Sequence, residues 1–577
     1  MNAFRSENIL ISLFAKEGHT ALHPRSEEGN TLALCQREGR RDFYIRSIPT
    51  VRLLALLLML SVCAPVSLVQ AAENIGDAGF EIRSFEITGN TLFPSEKLQS
   101  TVEPFTGAGK AVADVEQARD ALEKLHHDAG YPAVMVNIPE QTLTDGVIKL
   151  QVIESRIGKL KITGNRYFTM EKVMQKLPSF TPGGMLYLPK VQEEIGRLNM
   201  SQDIKVEPFI TPGKEMGTID VELKVEDHLP LHGYLDLNNR ASHDTTELRL
   251  NAMIRYDNLW QKEHSISLQY QTSPQDFSEV QVIGGSYVLP APWEEEHLLA
   301  LYGIWTDSDT AFGEGFNVIG SGEIFGMRYV IPLPPYRLYN HTLTLGADYK
   351  HFSEDVGFTT EEGETTNTPI SYMPFSLAYN SSLPDEWGGV TQFNAGLNLS
   401  IRGFVSRESE FELKRYKGTA NYMFATIGVQ RTQKLPLQMG LLVKLDAQLS
   451  DQPLIDNEQY SAGGMESVRG YKESEALGDN AVHCTVEISF PDPVEKSGLV
   501  KWLHMTPFLF YDIARLSIHD PLPEQDDSAT LQGAGLGVRG SLFKNIEYEL
   551  AAAVALASTD RISSGDWRTY FKLQAVF

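Results

Sequence analysis

From about Leu231 to the terminal Phe577 the chain keeps one period, apolar and polar residues taking turns. Leu248, Leu250, Ala252, Ile254 and Tyr256 alternate with Arg249, Asn251, Met253, Arg255 and Asp257. Leu441, Val443, Leu445, Ala447 and Leu449 alternate with Leu442, Lys444, Asp446 and Gln448. A period of two sends successive side chains to opposite faces of a strand. A soluble sandwich alternates too, but its buried face packs on another sheet. Here charged and amide residues recur on the second face run after run, which suits a wet lumen with lipid outside. Only helices and closed barrels satisfy their backbone hydrogen bonds in lipid, so the pattern predicts a closed barrel.

About 16 such runs start near 232, 247, 264, 279, 297, 318, 340, 369, 389, 412, 437, 480, 505, 529, 547 and 569. An even number leaves both barrel ends in the periplasm. Every odd-to-even connection is then extracellular. The acidic, Gly/Thr-rich stretch 353–367 reads as an exposed outer loop. The last run places Phe571, Leu573, Ala575 and Phe577 on one face.

The longest apolar run, 51–69, follows Arg40, Arg41, Arg46 and Arg52 and exits through small residues at Ala71. It predicts a cleaved secretory signal peptide within a leader of residues 1–71. After residue 72 no apolar run of about 18 residues is left to make a spanning helix. Of the three cysteines, Cys35 and Cys63 leave with the leader and Cys484 remains alone, so neither an internal disulfide nor a cysteine metal cluster is expected. A formal charge of −25 argues against nucleic acid as a partner.

Between leader and barrel one pattern occurs twice. Phe-Glu-Ile-Thr-Gly-Asn-Thr-Leu-Phe at 85–93 recurs as Leu-Lys-Ile-Thr-Gly-Asn-Arg-Tyr-Phe at 160–168, an offset of 160 − 85 = 75 residues. In the first copy Asp114 reads as a helix N-cap with Gln117 as its capping-box partner. Val115, Ala118, Leu122 and Leu125 form the apolar stripe of that helix, which ends near Gly130. Strands follow at 131–138 and 147–154. The second copy has helices near 170–177 and 189–199 and strands near 204–211 and 218–225. Each unit is thus a β-α-α-β-β module, at 80–157 and 158–228, ahead of a barrel at 229–577.

These units resemble POTRA domains, the periplasmic modules of outer-membrane assembly and transport proteins. The first resembles the type found in two-partner secretion transporters, through Gly89, Asn90, Thr91, Leu92 and Phe93, then Gly130-Tyr131-Pro132, then Ile138, Pro139, Glu140 and Gln141. The resemblance implies that the units catch unfolded client segments, partly by adding a strand to a sheet edge. It points to Gly89, Asn90, Pro139, Gln141, Gly164 and Asn165.

The sixth outer loop, about 451–479, carries Val468, Arg469, Gly470 and Tyr471. A signal peptide, two POTRA-like units, about 16 strands and this tetrad together resemble the two-partner secretion transporter family. That family folds the sixth loop into the lumen and pairs its arginine with an aspartate on strand 13. The matching stretch here is Phe510, Tyr511, Asp512, Ile513 and Ala514. By parity Phe508, Phe510 and Asp512 face the lumen while Leu509, Tyr511 and Ile513 face lipid. Glu487 on strand 12 also faces inward as a second partner. A terminal aromatic strand with Phe571, Leu573 and Phe577 resembles the assembly signal of bacterial outer-membrane proteins.

The expectation is an all-β transmembrane barrel behind two α+β domains, in the outer membrane, working as a translocase. The implied partners are one large secreted exoprotein, unfolded in transit, membrane lipid, and the barrel assembly machinery and periplasmic chaperones for its own biogenesis. The alternative is a factor that inserts other barrels. No His-Glu-x-x-His, Gly-x-Ser-x-Gly or phosphate-binding loop occurs, so no catalytic residue, cofactor or metal is expected. One feature departs from the family: with cleavage after Ala71 and the first strand near Phe80, no room remains for an N-terminal plug helix.

Overall fold

A computed structural model describes residues 79–577, except 144, 308–310, 313–315, 318–320, 354, 358–364, 498–499, 501 and 524. The leader, its apolar run and the segment where a plug would lie fall outside the described residues.

In the first unit, strands Ser84–Thr88 and Val134–Asn137 flank strand Val147–Glu154, the former parallel and the latter antiparallel to it. Ile148, Leu150 and Val152 alternate inward from that central strand onto Leu98 and Val102 of helix Ser95–Val102 and Val115, Ala118 and Leu122 of helix Val112–Asp128. The long helix starts three residues earlier than the capping reading expects. Its chain enters at Ala111, and Asp114 caps it from inside by accepting the Ala111 N–H at 2.8 Å. The strand expected at 131–138 is shortened to Val134–Asn137, because Tyr131 still donates its N–H to His126 and Pro132 has none to give.

The second unit repeats the order. Strands Arg156–Thr163 and Ile204–Pro212 flank Thr218–Asp227, under helices Met170–Lys176 and Leu188–Asn199. In both units the last strand is central, so the other two are edge strands. The Asn199 side chain covers Val206 on one of them, and the strand beyond it is unpaired by backbone partners on that side among the described residues. Ile204–Pro212 leaves Phe209 and Ile210 exposed near its end.

Sixteen antiparallel strands then close a barrel. They are β1 Leu231–Asn238, β2 Arg249–Leu259, β3 His264–Thr272, β4 Gln281–Ala291, β5 Glu294–Asp307, β6 Gly322–Pro332, β7 Asn340–Phe352 and β8, which runs as Ile370–Tyr372 and Pro374–Pro384. After them come β9 Gly389–Ser400, β10 Tyr422–Lys434, β11 Gly440–Ser450, β12 Asn480–Ser489, β13 Leu503–Ser517, β14 Ser528–Leu542, β15 Ile546–Ala555 and β16 Trp567–Val576. Leu235, Ile254, Leu268, Leu449, Leu509 and Leu536 stand 45–60 % exposed on the outer face. An apolar belt of that extent is stable only against lipid.

The strand expected near 412 is corrected. Glu408–Lys414 is a short helix whose Phe411 packs against Tyr372 and Tyr422, and β10 begins only at Tyr422. Glu, Leu and Lys favour a helix, and two apolar residues do not separate period two from period 3.6.

The barrel closes where β16 meets β1, over a short ladder from Lys572↔Asn238 to Val576↔Tyr234. Asn239 prolongs this seam with its side chain, donating to the Thr569 carbonyl at 2.8 Å and accepting the Phe571 N–H at 2.8 Å. The terminal Phe577 and Gly233 exchange both backbone hydrogen bonds at 3.0 Å. Leu573 lies on the exposed outer face and Phe571 is half-buried beside the seam.

Candidate functional site

The loop between β11 and β12 turns back into the lumen instead of out to solvent. A small ladder, Tyr460–Ala462 against Ala476–Gly478, makes its stem. Its tip carries Val468, Arg469, Gly470 and Tyr471, all of them buried.

Arg469 meets the wall of β13. Its Nε donates to Asp512 Oδ2 at 2.7 Å and its Nη2 to Asp512 Oδ1 at 2.9 Å, two parallel bonds that a lysine cannot make. The Arg469 backbone N–H adds a third at 3.1 Å. Nη1 reaches Glu487 Oε2 at 3.3 Å, and Arg539 on β14 holds the other Glu487 oxygen. The guanidinium lies 3.4 Å from the centre of the Phe510 ring, and Arg539 covers Phe508 at 4.1 Å. Two arginines, two carboxylates and two aromatic faces thus form one desolvated cluster on the lumen wall. Asp512 and Phe508 are essentially inaccessible while Leu509 and Tyr511 point out, the parity the alternation predicts.

Neighbouring residues fix the tip. Gly470 has φ +114°, where a side chain is strained, and its N–H donates to the Tyr570 hydroxyl at 2.8 Å. Tyr570 in turn donates to the Tyr471 carbonyl at 2.6 Å. The Tyr471 hydroxyl sits 2.6 Å from the Ala557 carbonyl and 3.0 Å from that of Gln532. Val468 and Tyr471 pack with Ala514, Leu516, Leu531 and Ala555. His483 on β12 reaches the Ser467 carbonyl at 3.1 Å.

Several contributors carry no signal in the alternation alone. Gly533 on β14 is required by close approach: a Cβ there would lie 1.7 Å from the Arg469 carbonyl oxygen. Arg240, beyond the end of β1, holds Glu466 and Glu473 of the loop, both at 3.1 Å. Lys472 reaches Glu247 at 3.0 Å, and Glu247 also takes Arg568 of β16 at 3.0 Å. The loop therefore ties β12 to β14 on one side and both strands of the closing seam on the other.

The residues that the POTRA resemblance indicates build turns. A Cβ on Gly89 would lie 2.2 Å from the Val152 carbonyl, and one on Gly164 2.2 Å from that of Val225. Asn90 and Asn165 donate to the Phe93 and Phe168 carbonyls at 2.7 and 2.9 Å. The carboxylate at the end of each central strand receives the turn N–H groups: Glu154 takes that of Leu92, Asp227 those of Arg166, Tyr167 and Phe168. Gln141, two residues past Pro139, continues the sheet by pairing its amide with the Lys149 N–H and carbonyl at 2.7 and 2.9 Å.

Comparison with known proteins agrees with this architecture. Residues 217–540 match the family of the haemolysin secretion/activation protein ShlB/FhaC/HecB, and residues 80–155 match the POTRA domain of ShlB type. The outer membrane transporter CdiB of Dickeya dadantii (strain 3937) is 22 % identical over 479 residues, 80 % of each chain. The heme/hemopexin transporter protein HuxB of Haemophilus influenzae is 19 % identical over 486 residues, 82 % of each. Among solved structures, CdiB from Escherichia coli superposes with a TM-score of 0.57 at 18 % identity, covering 89 % of this chain and 94 % of that one. BamA from Haemophilus ducreyi lacking POTRA domains 1–3 gives 0.53 at 15 % identity, over 86 % of this chain and 100 % of that one, a likeness of fold. With the family match spanning more than half its length, the chain belongs to the haemolysin secretion/activation proteins, outer-membrane transporters of two-partner secretion with a periplasmic POTRA region.

Proposed function

We propose that this transporter carries one large exoprotein, unfolded in transit, and that the Arg469 cluster is the latch which seats the sixth loop in the lumen. The observation behind this reading is the desolvated Arg469–Asp512–Glu487 cluster joining a loop tip to the barrel wall. Val468 and Tyr471 of the loop tip are buried against the wall as well, and the ionic bonds add direction to that packing. Client capture falls to the sheet edges of the two units, above all Ile204–Pro212 with exposed Phe209 and Ile210. Gly89, Asn90, Gly164 and Asn165 serve it indirectly by shaping the turns, and Gln141, two residues past Pro139, by extending the pairing of strand Val147–Glu154. The terminal strand with Phe571, Leu573 and Phe577 is read by the assembly machinery, with periplasmic chaperones, during insertion. The protein needs no catalytic residue or cofactor for this work.

Breaking a desolvated pair costs on the order of 3–5 kcal/mol. Arg469→Ala should abolish or strongly reduce export while the barrel stays folded in the membrane, and Arg469→Lys should rescue only part of the loss. The check is exoprotein in the medium, with heat-modifiable migration on gels reporting the folded barrel. Normal export by Arg469→Ala would sink the latch.

A further inference from the structure

Where the second unit joins the barrel, three groups from three elements converge. Asp203 comes from the turn before strand Ile204–Pro212, His232 from β1 and Asp257 from β2. His232 Nε2 lies 3.0 Å from Asp203 Oδ1 and 3.6 Å from Asp257 Oδ2, with all three ligand atoms within 4.8 Å of one another. Ligands about 2.0–2.2 Å from a tetrahedral ion stand about 3.3–3.6 Å apart; the His232–Asp257 spacing matches that, and the His232–Asp203 spacing is a few tenths of an ångström shorter.

The ligands are held from behind. Ser265 donates to Asp257 Oδ1 at 2.5 Å, and the Asp257 N–H donates to the Pro230 carbonyl at 2.8 Å. The Asp203 N–H donates to Ser201 Oγ at 3.2 Å, while its carbonyl accepts the His228 N–H at 2.8 Å. Asp203 is buried, and His232 and Asp257 are half-buried, sheltered yet reachable from the periplasm. Arg255 also donates to Asp257 Oδ2 at 3.0 Å, so an ion would share that oxygen with the guanidinium. None of these groups serves the lumenal loop.

We propose that Asp203, His232 and Asp257 bind a divalent transition-metal ion of the zinc class and so fasten the second unit to the first barrel hairpin. One imidazole nitrogen with two carboxylate oxygens suits zinc, whereas calcium and magnesium prefer oxygen-only shells. An ion here crosslinks the unit to β1 and β2 at the point where the chain enters the barrel. The direction from which the unit feeds the lumen then depends on metal.

The test uses the full chain in detergent, without a histidine tag, stripped with EDTA and titrated with Zn²⁺. Wild type should retain one ion after dialysis, and His232→Gln and Asp203→Asn should each weaken uptake about tenfold or more. His504→Gln, whose His504–Asp492 pair at 3.5 Å lies at the same barrel end, should retain it. Zinc should also slow proteolysis at residues 228–231 in wild type and not in His232→Gln, with heat modifiability confirming folded barrel throughout. Equal uptake by wild type and both ligand variants, or no uptake by wild type, would overturn the site and leave a metal-free His–Asp–Arg network.

Discussion

Asp512 has no exposure and Arg469 almost none, so each is tolerable only because the other is there. That mutual dependence explains why the tip contains an arginine: two parallel bonds satisfy both carboxylate oxygens while Phe510 covers the guanidinium face. The wall contributes by omission as well. With a Cβ at Gly533 1.7 Å from the Arg469 carbonyl, Gly533→Ala has to push the loop away from β14. Overpacking of this kind costs about 1–3 kcal/mol. Barrel carrying Gly533→Ala should unfold at a lower temperature on gels and be cut more readily by protease at residues 463–475. Unchanged behaviour in both assays would mean the tip does not sit against β14. The Arg469–Asp512 pairing was legible through the family resemblance, and parity by itself supplied only the inward direction of Asp512. Gly533, Arg539 and Tyr570 were not, since their roles depend on where the loop lies in space, which no alternation encodes.

Among the elements, the turn between β2 and β3 is the most unusual. Asn258, Trp260, Gln261 and Glu263 all have φ between +57° and +60°, a conformation that non-glycine residues adopt at some cost. The second unit holds the turn there. Gln261 donates to the Tyr167 carbonyl at 2.9 Å and accepts the Thr169 N–H at 3.1 Å. Glu263 meets Lys176 at 2.6 Å and Lys172 at 3.0 Å. Burial pushes the Glu263 carboxyl up, but the two lysines outweigh it and hold it below its ordinary value. A depressed folded value means the contact is fully present above the unfolded value of about 4.3 and is lost as pH falls through the folded one. Protease access to this junction should therefore rise on acidification from about pH 4.3 downward, and Glu263→Gln should be equally accessible at neutral pH. A junction insensitive to both changes would show that the lysines do not hold it. Element existence was legible because long alternating runs leave few choices, as in β13 and β16. Element ends were not: Asp114 caps from the third helical position, and the stretch near 412 is helical because its few residues fit either period.

Across the whole molecule, the loop reaches the short closing seam as well as the long β13–β14 ladder. The seam between β16 and β1 is short, whereas β13 and β14 pair all the way from Leu503↔Leu542 to Ser517↔Ser528. Arg240 and the Lys472–Glu247–Arg568 chain bring loop charges onto both seam strands, so seating the loop also reinforces closure. The architecture was legible from two observations that do not depend on each other, a 75-residue repeat followed by period-two runs to the last residue. The closure contacts were not, because residues 240 and 473, or 247 and 568, are far apart along the chain. Dedicated export of one partner is tested by comparing a deletion strain with its parent by mass spectrometry of secreted and outer-membrane proteins. The deletion should remove one large exoprotein from the medium with other barrel proteins unchanged, and the wild-type gene should restore it. A fall in several barrel proteins of the outer membrane, with no single exoprotein missing, would contradict it and make this chain an assembly factor.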